Sequence, residues 1–473
     1  MIRISISRLT YSIVVLGSLF FLSSCNLFQQ QEVSRTTGWT LGEEGTGTFT
    51  RTQLRHQDPG PGMVFIEGGT FVMGRTNEDI MYDWNNLPRR VSVASFYMDE
   101  TEITNFEYRE YLHWLSRVFR TTHPDIYLNA LPDTLVWRDP LAYNEPFVEN
   151  YLRHPAYDDY PVVGVSWVQA SDFAAWRTDR VNEWILVQNG FLELNLDDQR
   201  PGNYFTTQAY LAGAYEGLVR EDQQQRARWE DGLLLPRYRL PTEAEWEFAA
   251  LGLIGKTVGD NVTERRTYPW SGNNMRSTER RTRGEFLANF QRGYGDLTGI
   301  AGASQRSGEL TMHVRSFLPN DYGLYNMAGN VNEWVKDVYR PLSHEKVAEF
   351  RPFRGNVFRT AARDENGNIL FDDLGRVIFE EADNNEQQNS RDYRQGNFID
   401  YRDGDQMSAI AMGQSVYPEG LTLITNQSRV YKGGSWKDRS YWLSPATRRH
   451  LDQNKATNDI GFRCVMDHLG QKP

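Results

Sequence analysis

Three copies of one local signal set the frame for this chain. Thr104-Asn-Phe-Glu107, Ser166-Trp-Val-Gln169 and Thr242-Glu-Ala-Glu245 each place a hydroxyl three residues ahead of a Glu or Gln. This is the capping box, in which the hydroxyl accepts an early backbone N–H and the longer side chain reaches back to the cap. Helical spacing follows each one. Tyr108, Tyr111, Leu112, Leu115, Val118 and Phe119 share a face, as do Ala170, Phe173, Ala174 and Trp184, and the third carries Trp246, Ala249 and Ala250. Asn189-Gly190 and Gly252 are the stops, because these residues tolerate a left-handed helix end. Short apolar runs lie between the helices. Met63–Gly74 reads as a hairpin around Gly68-Gly69, and Val91–Met98 reads as a further strand. No βαβ rhythm and no repeat accompanies them, so the expected class is α+β.

Cysteine use limits what else can hold such a chain together. Only Cys25 and Cys464 occur in 473 residues. Arg3 and Arg8 precede an apolar stretch from Ile13 to Leu22, well short of the ~20 residues a spanning helix needs, so residues 1–24 read as an export signal. Leu22-Ser23-Ser24-Cys25 resembles a bacterial lipobox, which makes Cys25 the expected lipidation site. Acyl chains on that thiol would anchor the protein without a transmembrane segment. Asn26 in place of Asp favours the outer membrane, with the body on its periplasmic face.

Residues 25–57 are rich in Gln, Thr and Gly with few aliphatics and are expected to act as a flexible tether. A folded domain is expected over 58–473, with insertions at about 190–235 and 341–430. With 13 Trp, 24 Tyr and 24 Phe it has ample core material. Cys464, left alone on the apolar run Phe462–Met466, is expected to be a buried thiol rather than a disulfide partner. The net charge of −11 and pI of 5.4 exclude the basic face that a nucleic-acid partner requires.

The order of the motifs carries a resemblance. Met63–Gly74, Glu100–Asn105, Pro161–Trp167, Tyr238–Glu247, Tyr268-Pro-Trp270, Gly323–Trp334, Gly433-Gly-Ser-Trp436 and Gly461-Phe-Arg-Cys464 resemble, in sequence order, the formylglycine-generating, sulfatase-modifying factor family. The resemblance implies a C-type-lectin-related fold low in regular secondary structure. It also implies a pair of copper(I)-binding cysteines just after the Gly-Gly-Ser block, where this chain has Asp438 and Trp442. Without two thiolates no copper is expected, since copper(I) prefers sulfur, and the expectation is a fold without its enzymology. Two alternatives stand beside it: an oxidase rebuilt around Asp438, Arg439 and Arg448, or ligand binding in the pocket the lost site leaves.

The family resemblance further implies calcium. Asn326 and Glu333 side chains with the carbonyls of Gly329 and Val331 match one site, and Asn289, Phe290 and Asp296 match a second less closely, against the alternative of polar turns satisfied by hydrogen bonds and water. Asp364–Asn368 lacks the spacing of an EF-hand and is expected to be a hairpin turn at Asn366-Gly367. Trp167, Trp246, Trp270, Trp334 and Trp436 are expected to pack around turns with their indole N–H groups paired.

A narrower likeness concerns biology. The lipobox, Ser34–Trp39, Asp83–Asn86, Ser95–Glu102, Leu131–Trp137, Arg177–Glu183 and Lys432–Arg439 resemble the GldJ-type gliding motility lipoproteins of Bacteroidota, whose sibling is the GldK (PorK) type. This implies a scaffold or stabilising part in gliding and type IX secretion, with GldK- and GldN-like subunits as partners.

Overall fold

All three capping boxes form in the computed structural model. They open α1 (Asn105–Phe119), α2 (Trp167–Gln188) and α3 (Glu243–Leu251). In α1 the Thr104 hydroxyl accepts the Glu107 N–H at 3.2 Å while Glu107 accepts the Thr104 N–H at 2.7 Å. Ser166–Gln169 and Thr242–Glu245 repeat the exchange. Each cap contributes about 1 kcal/mol and fixes where the helix begins. The stops hold as well: Gly190 and Gly252 take φ of 76° and 51°.

The structure describes residues 33–41, 57–75, 80, 85–193, 204–213, 215, 226–252, 257–258, 261–262, 266–293, 310–339, 350, 352–355, 359–368, 370, 378–381 and 427–470. The export segment, Cys25 and Asp296 lie outside them. The chain divides into two units. Within the first, Val33 and Thr40 bridge across a turn in which the Ser34 N–H donates to Trp39 O. The second, Gln57–Trp229 with Leu233–Pro473, holds the helices and sheets.

The described residues form three four-stranded sheets. The first has the order β1 (Met63–Ile66), β4 (Phe96–Asp99), β14 (Val465–Asp467), β5 (Tyr238–Arg239). The second runs β3 (Arg89–Val93), β2 (Gly69–Met73), β7 (Asn261–Val262), β6 (Thr257–Val258). The third is β12 (Arg449–Asp452), β11 (Ser428–Lys432), β8 (Asn332–Val338), β13 (Ile460–Gly461). A two-stranded ribbon pairs β9 (Arg359–Ala361) with β10 (Phe379–Glu381). The mixed α+β class is as expected.

The hairpin expected at Met63–Gly74 does not form. β1 pairs with β4 and β2 with β3, so the two apolar runs enter different sheets. The expected single strand Val91–Met98 breaks at Ala94-Ser95 for the same reason. Both pairs must change sheets where they cross, and Gly68 makes that crossing possible. A Cβ there would lie 2.4 Å from Val93 O and 2.5 Å from Ser95 N. The signal of two apolar runs around Gly-Gly was therefore one of close approach rather than of a turn. At Asn366-Gly367 the expected turn is present: Gly367 has φ of 85° and its N–H donates to Asp364 O.

The helices pack on the sheets through aromatic and aliphatic side chains. The apolar faces of α1 and α2 meet through Tyr108 stacked on Phe173 at 5.7 Å, with Phe462 edge-on at 5.4 Å from Phe173. Beneath α3, Trp246, Ala249 and Ala250 pack with Phe71, Val91, Met98 and Val335. All five named tryptophans pair their indole N–H, Trp334 with Val165 O and Trp167 with Val335 O among them. Among the described residues no helix is long and apolar enough to cross a membrane.

Candidate functional site

Residues after β11 form a tight turn because two glycines permit it. Gly433 and Gly434 take φ of 101° and 72°, a region costly for any side chain. Ser435 then accepts the Asp438 N–H on its carbonyl while donating both its own N–H and its hydroxyl to Asp438 Oδ2, at 2.9 and 2.7 Å. The Asp438 carboxylate is thereby aimed at β12, where Arg449 meets it. Arg449 Nη1 and Nη2 each donate to one Asp438 oxygen at 2.7 Å, and Nη2 also donates to Asn332 Oδ1 at 2.7 Å. The guanidinium also sits 4.5 Å from the Trp442 ring centroid and 5.0 Å from that of Tyr431. Burial by itself would push the Asp438 carboxyl up, but the hydrogen bonds and charge of Arg449 outweigh it and hold the group below its ordinary value.

Both flanks of this turn are tied to α3. Lys432 Nζ lies 2.9 Å from Glu247 Oε2 and 3.3 Å from Glu243 Oε1, and Arg448 Nη2 lies 2.8 Å from Glu243 Oε2. All four side chains are buried. Burial raises Glu243, yet Arg448 and Lys432 more than offset that and bring it down to about 2. The sequence alternative of a centre built on Asp438, Arg439 and Arg448 is not assembled. Arg448 belongs to Glu243, and exposed Arg439 donates to Arg292 O. The cavity beside Trp442, lined by Arg75, Asn86 and Arg448 among others, is about 170 Å³, below the roughly 300 Å³ at which small-molecule pockets begin.

The Asn326–Glu333 turn is bonded to this one: the Gly329 N–H donates to Gly433 O and the Trp436 N–H to Asn330 O, both at 2.9 Å. Asn326 and Asn330 have φ of 53° and 65°, and Gly329 of 81°, where a Cβ would be 2.4 Å from Asn289 O. Of the four residues expected to hold calcium, Glu333 is engaged elsewhere. Its Oε1 accepts from Arg463 Nη2 at 2.6 Å, and its Oε2 from Arg463 Nε and from Trp246 Nε1, both at 2.7 Å. Asn326 turns its amide nitrogen to Glu102 Oε2 at 3.0 Å and Val314 O at 2.9 Å. Asn289, of the second expected site, donates to Leu310 O and Asn330 Oδ1, and Phe290 packs edge-on against Phe286. Both Glu333 oxygens are thus shared with a fully buried guanidinium at hydrogen-bonding distance, with the buried Glu102 carboxylate 3.0 Å from the Asn326 and Asn330 amides beside them. Among the described residues no three His, Cys, Asp or Glu side chains are grouped to hold a metal. Cys464, the free cysteine of the described residues, is buried, which pushes its thiol well up.

With this geometry in place, comparison with known proteins decides the family. The sulfatase-modifying factor enzyme 1-like domain matches residues 48–468. The chain belongs to this family. The mouse formylglycine-generating enzyme is 24% identical over 414 residues, 86% of this chain and 75% of its own. The enzyme of Streptomyces coelicolor is 34% identical over 321 residues, 62% of this chain and 77% of its own. Mouse inactive C-alpha-formylglycine-generating enzyme 2 is 26% identical over 323 residues, 62% and 74%. Family members that share this fold thus include one named inactive.

Arg449, Arg463 and Glu102 were not singled out in the sequence. Arg449 lies eleven positions after Asp438, and no spacing rule joins a turn to the next strand. Arg463 stood within the Gly-Phe-Arg-Cys block, where a buried Arg demands a carboxylate, and that was a usable signal. Replacing Arg449 by Met is expected to destabilise the chain by roughly 3 kcal/mol, since it strands a largely buried Asp438; urea melts of the two chains measure it. Glu333→Gln is expected to cost about 3–5 kcal/mol, whereas EDTA leaves the melting temperature of the unaltered chain unchanged, as differential scanning calorimetry would record.

Proposed function

We propose that this member of the family is a non-catalytic, lipid-anchored outer-membrane protein that acts as a scaffold in gliding motility and type IX secretion, of the GldJ type. One observation carries the non-catalytic half. Asp438 and Trp442, the residues near the family's two copper-binding thiolates, both hold Arg449, one by a bidentate ion pair and the other by its ring face. That pairing leaves the Asp438 carboxylate saturated, and a guanidinium supplies neither redox chemistry nor a lone pair to a metal or a substrate. Two sulfur ligands are lacking in the turn, and the sequence has only Cys25 and Cys464.

The scaffold half rests on the lipobox ending at Cys25 and on the likeness to GldJ-type lipoproteins. An anchored domain whose inherited centre is closed by an ion pair retains what assembly needs, which is a rigid body and an exposed surface. GldK- and GldN-like subunits are the partners this reading names.

Affinity purification of the tagged full chain from gently solubilised outer membranes, with mass spectrometry of the proteins retained, tests the reading. Recovery of GldK- or GldN-like subunits is expected. A chain that fractionates without membranes, or comes alone from them, contradicts it.

A further inference from the structure

Residues 276–285 form a basic loop on an acidic protein. Its four arginines, 276, 280, 281 and 283, outnumber Glu279 and Glu285 two to one, in a chain of net charge −11. The loop is fixed from inside. The Ser277 N–H donates to Glu285 O at 2.8 Å, the Gly284 N–H to Ser277 O at 2.9 Å, and Arg276 Nη1 to Gly284 O at 2.6 Å. Ser277 and Thr282 join their hydroxyls across it at 2.7 Å. Arg280, Arg281 and Arg283 are exposed, and none of them forms an ion pair or a side-chain hydrogen bond among the described residues.

Two acids beside the loop are already matched, Asp321 by Arg266 at 2.5 Å and Asp438 by Arg449. Arg292 and Arg439 extend the positive surface. The guanidiniums of Arg276 and Arg292 lie 3.8 and 5.7 Å from the Phe286 ring centroid, and Arg439 Nη1 donates to Arg292 O at 2.9 Å.

The base of the loop, Arg276–Glu279, is also one wall of a groove of about 330 Å³. Trp270, Phe317 and Leu318 supply apolar surface there, and Leu318 is 73% exposed. Ser271, Asn274 and Thr278 line the same groove with side chains that form no hydrogen bond among the described residues. An acyl chain would bury these polar groups unpaired, whereas a polypeptide brings backbone N–H and C=O groups to meet them.

We propose that this surface docks an acidic segment of a partner polypeptide, with one apolar side chain in the groove beside Leu318 and flanking Asp or Glu carboxylates on Arg280, Arg281 and Arg283. Each guanidinium offers a carboxylate two parallel N–H donors. A single exposed pair is weak, so affinity comes from several acting together with the apolar anchor, on a loop that is already ordered. The inference goes beyond the scaffold reading, because it names a partner's chemistry and holds whatever assembly the protein serves.

Fluorescence anisotropy of labelled acetyl-Asp-Glu-Phe-Glu-Asp-amide with the full chain tests it, against the Asn-Gln-Phe-Gln-Asn counterpart. The acidic peptide is expected to bind about tenfold or more tightly than the amide one, and to weaken as salt rises from about 50 to 300 mM. A chain carrying Arg280→Gln, Arg281→Gln and Arg283→Gln is expected to lose about tenfold, the sum of three weak pairs, and Leu318→Asp to weaken binding as well. Equal affinity for the two peptides, no binding of the acidic one at about 1 mM, or unchanged affinity in the folded triple variant overturns the proposal. Dihexanoyl phosphatidylglycerol, a soluble anionic lipid, is titrated in parallel. If it binds more tightly than the acidic peptide and is lost in the triple variant, the polypeptide assignment is overturned in favour of a membrane surface. The comparison of the two peptides needs no variant, so it decides even if a variant fails to fold.

Discussion

The Glu333 carboxylate is the point through which the rest of the domain is tied. It comes from β8, in the third sheet, and receives Trp246 from α3 and Arg463 from the segment between β13 and β14. Arg463 spends its remaining donors on carbonyls of Asp99, Glu100 and Tyr325, so one buried guanidinium joins the first sheet, the third sheet and the Asn326 turn. A buried ion pair of this kind adds little net stability over a well-packed apolar replacement, because both ions lose their hydration. Its effect is on alternatives. Any packing that parts Glu333 from Arg463 leaves two uncompensated charges in the interior, and the register of β8 follows from avoiding them.

The same device recurs where a disulfide would otherwise serve. Lys432 and Arg448, the two ends of the Gly-Gly-Ser segment, converge on Glu243 and Glu247 of α3, and Asp438 and Arg449 close the segment across its middle. Arg177 of α2 reaches Asp99 of β4, whose carboxylate also accepts the Cys464 N–H. Irregular loops are thus tied by charge pairs at their ends. In the turn after β11 the central carboxylate is itself saturated, by Arg449 and Ser435.

What could be read in the sequence was whatever depends on neighbours a few residues apart. The capping boxes, the glycine stops and the Asn366-Gly367 turn are local, and so they appeared where expected. The paired indole N–H groups were legible because a buried donor must find an acceptor. The Gly68-Gly69 pair misled because a glycine needed for close approach to Val93–Ser95 looks, in one dimension, like a glycine needed for a turn. Residue types alone make Asn326–Glu333 suit calcium, and the pairing of Glu333 with Arg463 is not legible beside them because Arg463 lies 130 positions away in the chain. Arg449 escaped for a related reason: its role depends on Asp438, Asn332, Trp442 and Tyr431 converging from separate elements.

On the proposed non-catalytic reading, the Asp438–Arg449 pair leaves the turn unable to take up copper. An anaerobic titration of the full chain with copper(I) against a chromogenic chelator, followed by oxygen uptake in the presence of a cysteine-containing peptide, addresses it most directly. The account expects the chelator to keep the copper and oxygen uptake to stay at the level of the peptide and metal alone. Stoichiometric copper retained by the chain, with oxygen consumed in proportion to chain concentration, would contradict it.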